Sequence, residues 1–255
     1  MKKNSEINRR DFFKKASLTT ASLAGLPILA RASNSLKINE FPKEQIIVFK
    51  GDSITDAGRN RSRYYANDAG GLGYGYVFQI VAELLGSNPS KDLKCYNRGI
   101  SGNKVYQLAD RWEDDCLNLK PDVLSILIGV NDFWHKLNGN YDGTPDIYNT
   151  DLRKLLDRTK KEYPSIKLIL GEPFAVKGGS AITQKWESEF YAYQDQAKKI
   201  AADYNAVFIP LQKIFDDALK IAPVSYWCPD GVHPSIAGAY LMKNEWLEAF
   251  SQLYD

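Results

Sequence analysis

Gln45-Ile46-Ile47-Val48-Phe49-Lys50 is a short apolar run that stops at Gly51-Asp52-Ser53. It reads as a buried strand ending in a tight turn. The same reading repeats outward along the chain. Leu93–Asn97, Val123–Ile128 (just after Pro121), Ile166–Leu170 and Ala206–Ile209 are further short strands. Between them lie helical patterns. Tyr74–Leu85 spaces Tyr74, Val77, Phe78, Val81, Leu84 and Leu85 on one helical face, and Lys104–Leu119, Ile147–Tyr163, Lys185–Tyr204 and Leu211–Leu219 follow. A last helix covers Ser235–Leu253, with Ser235 as its N-cap. Five short apolar strands separated by helices give βαβ units and a parallel sheet covered on both faces. The expected fold is one α/β domain, a three-layer α/β/α sandwich on a five-stranded parallel sheet.

In such sheets, functional groups collect beyond the carboxyl ends of the strands. Gly51-Asp52-Ser53 follows the first strand and Asn97–Gly102 the second. Gly129-Val130-Asn131-Asp132 follows the third, and Gly171-Glu172-Pro173 the fourth. Segments far apart in sequence therefore meet on one rim.

A serine hydroxyl needs a base to become a nucleophile, and His135 and His233 are the two histidines. In Asp230-Gly231-Val232-His233-Pro234, an aspartate three residues before a histidine can bond its Nδ1. That leaves Nε2 free as the base. Attack on a carbonyl also requires donors for the oxyanion. Ser53 N–H, Gly102 N–H and the Asn131 side-chain amide are the candidates. No G-x-S-x-G elbow occurs, which excludes the usual α/β-hydrolase arrangement. Asp52, Tyr74, Trp134 and Trp227, on or near the rim loops, are candidate substrate contacts. Asp52 reads first as a turn-forming, structural carboxylate, and core packing accounts for the aromatics equally well. Trp134-His135 follows Asn131, so His135 lies either on the surface or within reach of substrate.

Gly51-Asp52-Ser53-Ile54-Thr55, Asn97–Asn103, Gly129-Val130-Asn131-Asp132 and Asp230-Gly231-Val232-His233-Pro234 together resemble the four ordered blocks of the SGNH (GDSL) hydrolases. The resemblance spans roughly residues 45–250 and implies a flavodoxin-like SGNH hydrolase fold. It implies Ser53 as nucleophile, Asp230 and His233 as the rest of a triad, and Ser53, Gly102 and Asn131 as oxyanion donors, with no metal or organic cofactor. Gly51–Arg59, Gly73–Val77, Arg111–Asp115 and Ile128–Trp134 resemble the GDSL-type acetylxylan esterases in particular. The implied reaction is removal of a short acyl group, an acetyl on xylan or a related plant polysaccharide fragment. A lysophospholipase or thioesterase with the same triad is the alternative, and a carbohydrate-binding protein without catalysis is the third reading. Cys228-Pro229 before Asp230 departs from those esterases. The resemblance allows a homo-oligomer, and no stretch of the sequence marks an interface.

Residues 1–32 form a separate unit by composition. Asn8-Arg9-Arg10-Asp11-Phe12-Phe13-Lys14-Lys15 precedes a mildly apolar run to Ala30-Arg31-Ala32. Basic start, apolar middle and A-x-A end describe a secretory signal, and the arginine pair resembles the twin-arginine export motif. The run is too short and polar to span a membrane, so the chain is expected to be exported, periplasmic or secreted, without a stable membrane anchor. The signal holds seven Lys/Arg and two Asp/Glu of the chain's 33 and 31, which leaves residues 33–255 at about −3. With no basic patch, nucleic acid is not an expected partner. Cys95, Cys116 and Cys228 are too scattered for a disulfide framework or zinc site. Cys95 and Cys116 are expected to be buried small hydrophobes.

Overall fold

The computed structural model describes residues 40–255; the expected export signal and the boundary after residue 32 lie outside the described residues. β1 (Ile46–Gly51) leads through α1 (Ser53–Asp56) and α2 (Ala69–Leu72) to α3 (Tyr76–Ser87) and β2 (Lys94–Asn97). α4 (Val105–Ala109), α5 (Trp112–Asp115) and a 3₁₀ turn (Leu117–Leu119) precede β3 (Val123–Leu127). α6 (Val130–Leu137), α7 (Pro145–Glu162), β4 (Lys167–Gly171), α8 (Gln184–Glu189) and α9 (Tyr191–Asp203) come next. β5 (Val207–Ile209), α10 (Leu211–Ala218), α11 (Val224–Trp227) and α12 (Ile236–Gln252) complete the order.

All strand pairs are parallel, in the order β2-β1-β3-β4-β5. Ile47 lies beside Cys95 on one side and Val123 on the other. The five expected strands are all present, each end within one residue of its expected position. Because β1 has β2 on one side and β3 on the other, the connections beyond it diverge and open a crevice at the strands' carboxyl ends.

Alternation along β1 sends neighbouring side chains to opposite layers. Phe49 packs 5.0 Å from Trp246 of α12 and 6.4 Å from Tyr76 of α3. Lys50 points the other way, its ammonium 5.2 Å from the Trp112 ring centroid in α5. Both indoles are buried with their N–H groups satisfied: Trp246 donates to Ser125 Oγ and Trp112 to Thr159 Oγ1, each at 2.9 Å. Helix ends follow local chemistry. Thr144 accepts the Ile147 N–H ahead of Pro145, and Ser235 accepts the Gly238 N–H as the expected cap of α12.

Two expected helices are interrupted. The pattern Lys104–Leu119 is broken into α4, α5 and the 3₁₀ turn, with non-helical backbone at Arg111 and Cys116. Leaving the helix lets Arg111 turn inward. Its guanidinium donates to Asn103 Oδ1 at 2.8 and 3.0 Å and to Arg98 O at 2.7 Å, and pairs with Asp115. Those interior bonds outweigh local helix preference. Lys185–Tyr204 is divided at Phe190, whose ring packs with Phe133, Trp186 and Tyr193. Conversely α6 is absent from the sequence reading, although Val130, Phe133, Trp134 and Leu137 stand at helical spacing within it. Cys95, Cys116 and Cys228 are all buried and unpaired. No helix among the described residues is long and apolar enough to cross a membrane.

Candidate active site

The turn after β1 sets Ser53 at the rim. Asp52 caps α1 by accepting the Ile54 N–H at 3.0 Å. Asn97 at the end of β2 braces the same turn. Its amide donates to Thr55 O and Leu72 O at 2.6 and 2.8 Å, and its carbonyl accepts Gly99 N–H.

Ser53 Oγ lies 2.8 Å from His233 Nε2, and His233 Nδ1 lies 2.6 Å from Asp230 Oδ2. Asp230 Oδ1 accepts the main-chain N–H groups of His233 and Val232 at 2.7 and 2.9 Å. Burial pushes the Asp230 carboxyl up, but these three hydrogen bonds and the imidazole outweigh it and hold it below the usual carboxylate range.

The Asp230–His233 loop is itself pinned. Gly231 takes φ +87°, where a side chain would also strike Ile182 and the carbonyl of Val176. Val176 N–H donates to Gly231 O at 2.7 Å, and Ser180 and Ala181 donate to Pro229 O and Asp230 O. Residues 176–182 thus fix the loop that carries Asp230 and His233.

Gly102 and Asn131 come from the loops after β2 and β3. Nothing stands within 4 Å of where a Gly102 side chain would be, so the space beside its backbone is open. Asn131 is 5% exposed, and its amide donates to Asn103 O at 3.3 Å, linking the two loops. Asp132 accepts Val105 N–H at 3.2 Å from within the same junction. Burial pushes the carboxyls of Asp52 and Asp132 up to about 7, opposed in each by a main-chain hydrogen bond.

A cleft of about 1040 Å³ opens beside Ser53 and His233. Arg59, Asn60, Arg61 and Tyr74 give it a polar and aromatic wall; Ile236 and Met242 give it an apolar one. Tyr74 is 76% exposed, yet its ring is seated: a side chain at Gly58 would meet Tyr74 Cε1 at 2.2 Å. Trp134 flanks His233, the two rings 6.4 Å apart.

Two expected substrate contacts are corrected. Asp52 is fully buried and caps α1, so substrate cannot touch it. Trp227 does not line the cleft; its indole N–H is committed to Ala218 O at 2.9 Å and its ring packs on Tyr226. The sequence reading also passed over Asp56. That residue accepts Ser101 N–H at 2.9 Å while pairing with Arg61, and so joins the Ser53 turn to the Gly102 loop. Its position one turn after Ser53 was the available signal. Ile236 carried none, because nothing local marks the start of α12 as a cleft wall. Among the described residues no group of three His, Cys, Asp or Glu could hold a metal ion.

The GDSL-like Lipase/Acylhydrolase family matches residues 49–241. An acetylxylan esterase of Geobacillus stearothermophilus is 35% identical over 206 residues, 79% of this chain and 91% of that protein. The solved structure of a candidate GDSL-like lipase from Parabacteroides merdae superposes with TM-score 0.81 at 48% identity, covering 84% of this chain and 98% of that one. A variant of an acetyl-xylooligosaccharide esterase from Geobacillus stearothermophilus superposes with TM-score 0.74 at 33% identity, covering 82% and 95%.

Proposed function

The chain belongs to the GDSL-like lipase/acylhydrolase family and is an esterase, and on that premise we propose that it removes acetyl groups from carbohydrate esters, xylan or its oligosaccharides first among them. The observation that carries this reading is the unbroken hydrogen-bond chain from Ser53 through His233 to Asp230, at 2.8 and 2.6 Å, beside a cleft with a polar and aromatic wall. The acetylxylan esterase similarity supports the same substrate.

In this scheme Ser53 Oγ attacks the acetyl carbonyl while His233 Nε2 takes its proton. The oxyanion is held by the N–H groups of Ser53 and Gly102 and by the Asn131 amide. As the tetrahedral centre collapses, the C–O bond to the sugar breaks and His233 returns the proton to the sugar oxygen. A water then attacks the acyl-serine as His233 takes its proton; the bond to Ser53 Oγ breaks, His233 returns the proton to that oxygen, and acetate leaves. Asp230 fixes the imidazole and stabilises its charged form. Tyr74, seated on Gly58 with its other face in solvent, offers a ring to the sugar.

The apolar wall of Ile236 and Met242 favours a second reading, a longer acyl chain in the same cleft. Hydrolysis of acetylated xylo-oligosaccharides, p-nitrophenyl acetate and p-nitrophenyl laurate, with a Ser53→Ala control, separates the two. Acetate release from the oligosaccharide, absent in the control, is the expected outcome. Preference for laurate would replace the carbohydrate reading by the lipid one.

We also propose that residues 1–32 direct export by the twin-arginine route, supported by Arg9-Arg10 and Ala30-Arg31-Ala32. Replacing both arginines by lysine should retain the protein in the cytoplasm; unchanged export would refute the route.

A further inference from the structure

Lys104 and His135 form a pair that the scheme above leaves unused. Lys104 Nζ stands 3.0 Å from His135 Nδ1. It also lies 5.6 Å from the ring centroids of both Tyr106 and Tyr141, which pack together at 5.6 Å. Lys104 is 5% exposed, whereas His135 is half-buried.

An ammonium has three donors and no acceptor; burial lowers the Lys104 pKa, against which the Asp132 charge and two flanking aromatic faces favour the charged form. The hydrogen bond therefore needs a lone pair on His135 Nδ1, which puts the ring proton on Nε2. Burial, followed by the Lys104 charge, lowers the His135 pKa and keeps the ring neutral. The result is an N–H donor of one fixed tautomer.

Its location follows from α6. Asn131 and His135 are four residues apart and share a helix face. Trp134, next to His135, faces the His233 ring. Lys104 comes two residues after Gly102, and Asn103 between them takes the Asn131 amide. His135 is thus bracketed by the two segments that supply oxyanion donors. It stands one helical turn, about 5.4 Å, beyond Asn131. An acetyl group ends one carbon past its carbonyl, so any ester atom within reach of that ring belongs to the alcohol part.

We infer that Lys104 locks His135 as an Nε2–H donor to an oxygen next to the acylated carbon, such as the vicinal hydroxyl of a sugar. His135 is then a substrate-binding residue and Lys104 a positioning residue; the inference rests on the proposed roles of Ser53, Gly102 and Asn131.

Two small esters test it on the full chain: ethylene glycol monoacetate, which carries the neighbouring hydroxyl, and propyl acetate, which lacks it. The wild type should favour the first in kcat/KM by about tenfold, the worth of one hydrogen bond, chiefly through KM. His135→Ala should lose that preference, His135→Gln should restore most of it, and Lys104→Met should follow His135→Ala. The ¹⁵N spectrum should show His135 protonated at Nε2 in the wild type and a tautomer mixture in Lys104→Met. A preference that survives His135→Ala, or a wild-type proton on Nδ1, would overturn the inference. Where a variant fails to fold, the wild-type spectrum still decides. If the wild type cleaves neither ester, the reading of the Ser53 site fails, and this inference with it.

Discussion

Asp230 grips His233 twice, Oδ1 accepting its main-chain N–H at 2.7 Å and Oδ2 facing its ring Nδ1 at 2.6 Å. The first bond sets where the residue sits and the second sets its tautomer. Asp230→Asn would keep the first. The amide N–H would then face Nδ1, which must accept, leaving the proton on Nε2 where the base is needed. We predict a fall in kcat of about 10⁴ with little change in Tm, read by p-nitrophenyl acetate hydrolysis beside thermal melts. Activity within tenfold of wild type would remove Asp230 from the triad.

Asn131 is held to Asn103 O by its own amide and needs no new support to act as a donor. Asn131→Ala should lower kcat by roughly 10² to 10³ and leave KM nearly unchanged, because an oxyanion donor acts in the transition state. An effect confined to KM would reassign Asn131 to ground-state binding.

Asp52 and Asp132 make stability depend on pH in a direction opposite to that of ordinary paired carboxylates. Their folded-state carboxyls are pushed up to about 7 by burial, against 3.8 without it. Between those values the folded protein keeps protons that the unfolded chain has released. Stability therefore falls as pH rises from about 4 to about 7, and levels off above. Asp132→Asn can still accept the Val105 N–H but cannot ionise. Its urea midpoint should decline less over that window than the wild type's, and an equally steep decline would show that Asp132 does not contribute.

Trp246 is fully buried between Phe49 and Phe250 and gives its N–H to Ser125. Trp246→Ala should cost about 3–5 kcal/mol, measured by urea unfolding. A loss below about 1 kcal/mol would mean that α12 closes over the gap.

The sheet was legible because each strand is a short apolar run bounded by turn residues, a pattern that survives any tertiary context. The Ser53, Asp230 and His233 cluster was legible because a serine at a strand exit calls for a base, and Asp230 stands three residues before one of the two histidines. What escaped depends on contacts between distant segments. Arg111 breaks an otherwise helical pattern to reach Asn103 and Arg98, and no local rule anticipates partners that lie before it in the chain. Asp52 is next to the nucleophile in sequence, but its side chain turns back to cap α1 beneath it. Trp227 is near His233 in sequence and points to the end of α10. Adjacency along the chain did not translate into adjacency at the cleft.

Ser53 and His233 are 180 residues apart, and the loop bearing His233 is clasped by residues 176–182. A ribosome therefore delivers the serine 180 residues ahead of the histidine. On the proposed roles, chains stalled or cut between the two have a hydroxyl with nothing to ionise it. A turnover assay accordingly counts molecules that carry both segments, where an antibody to the first half would count fragments as well.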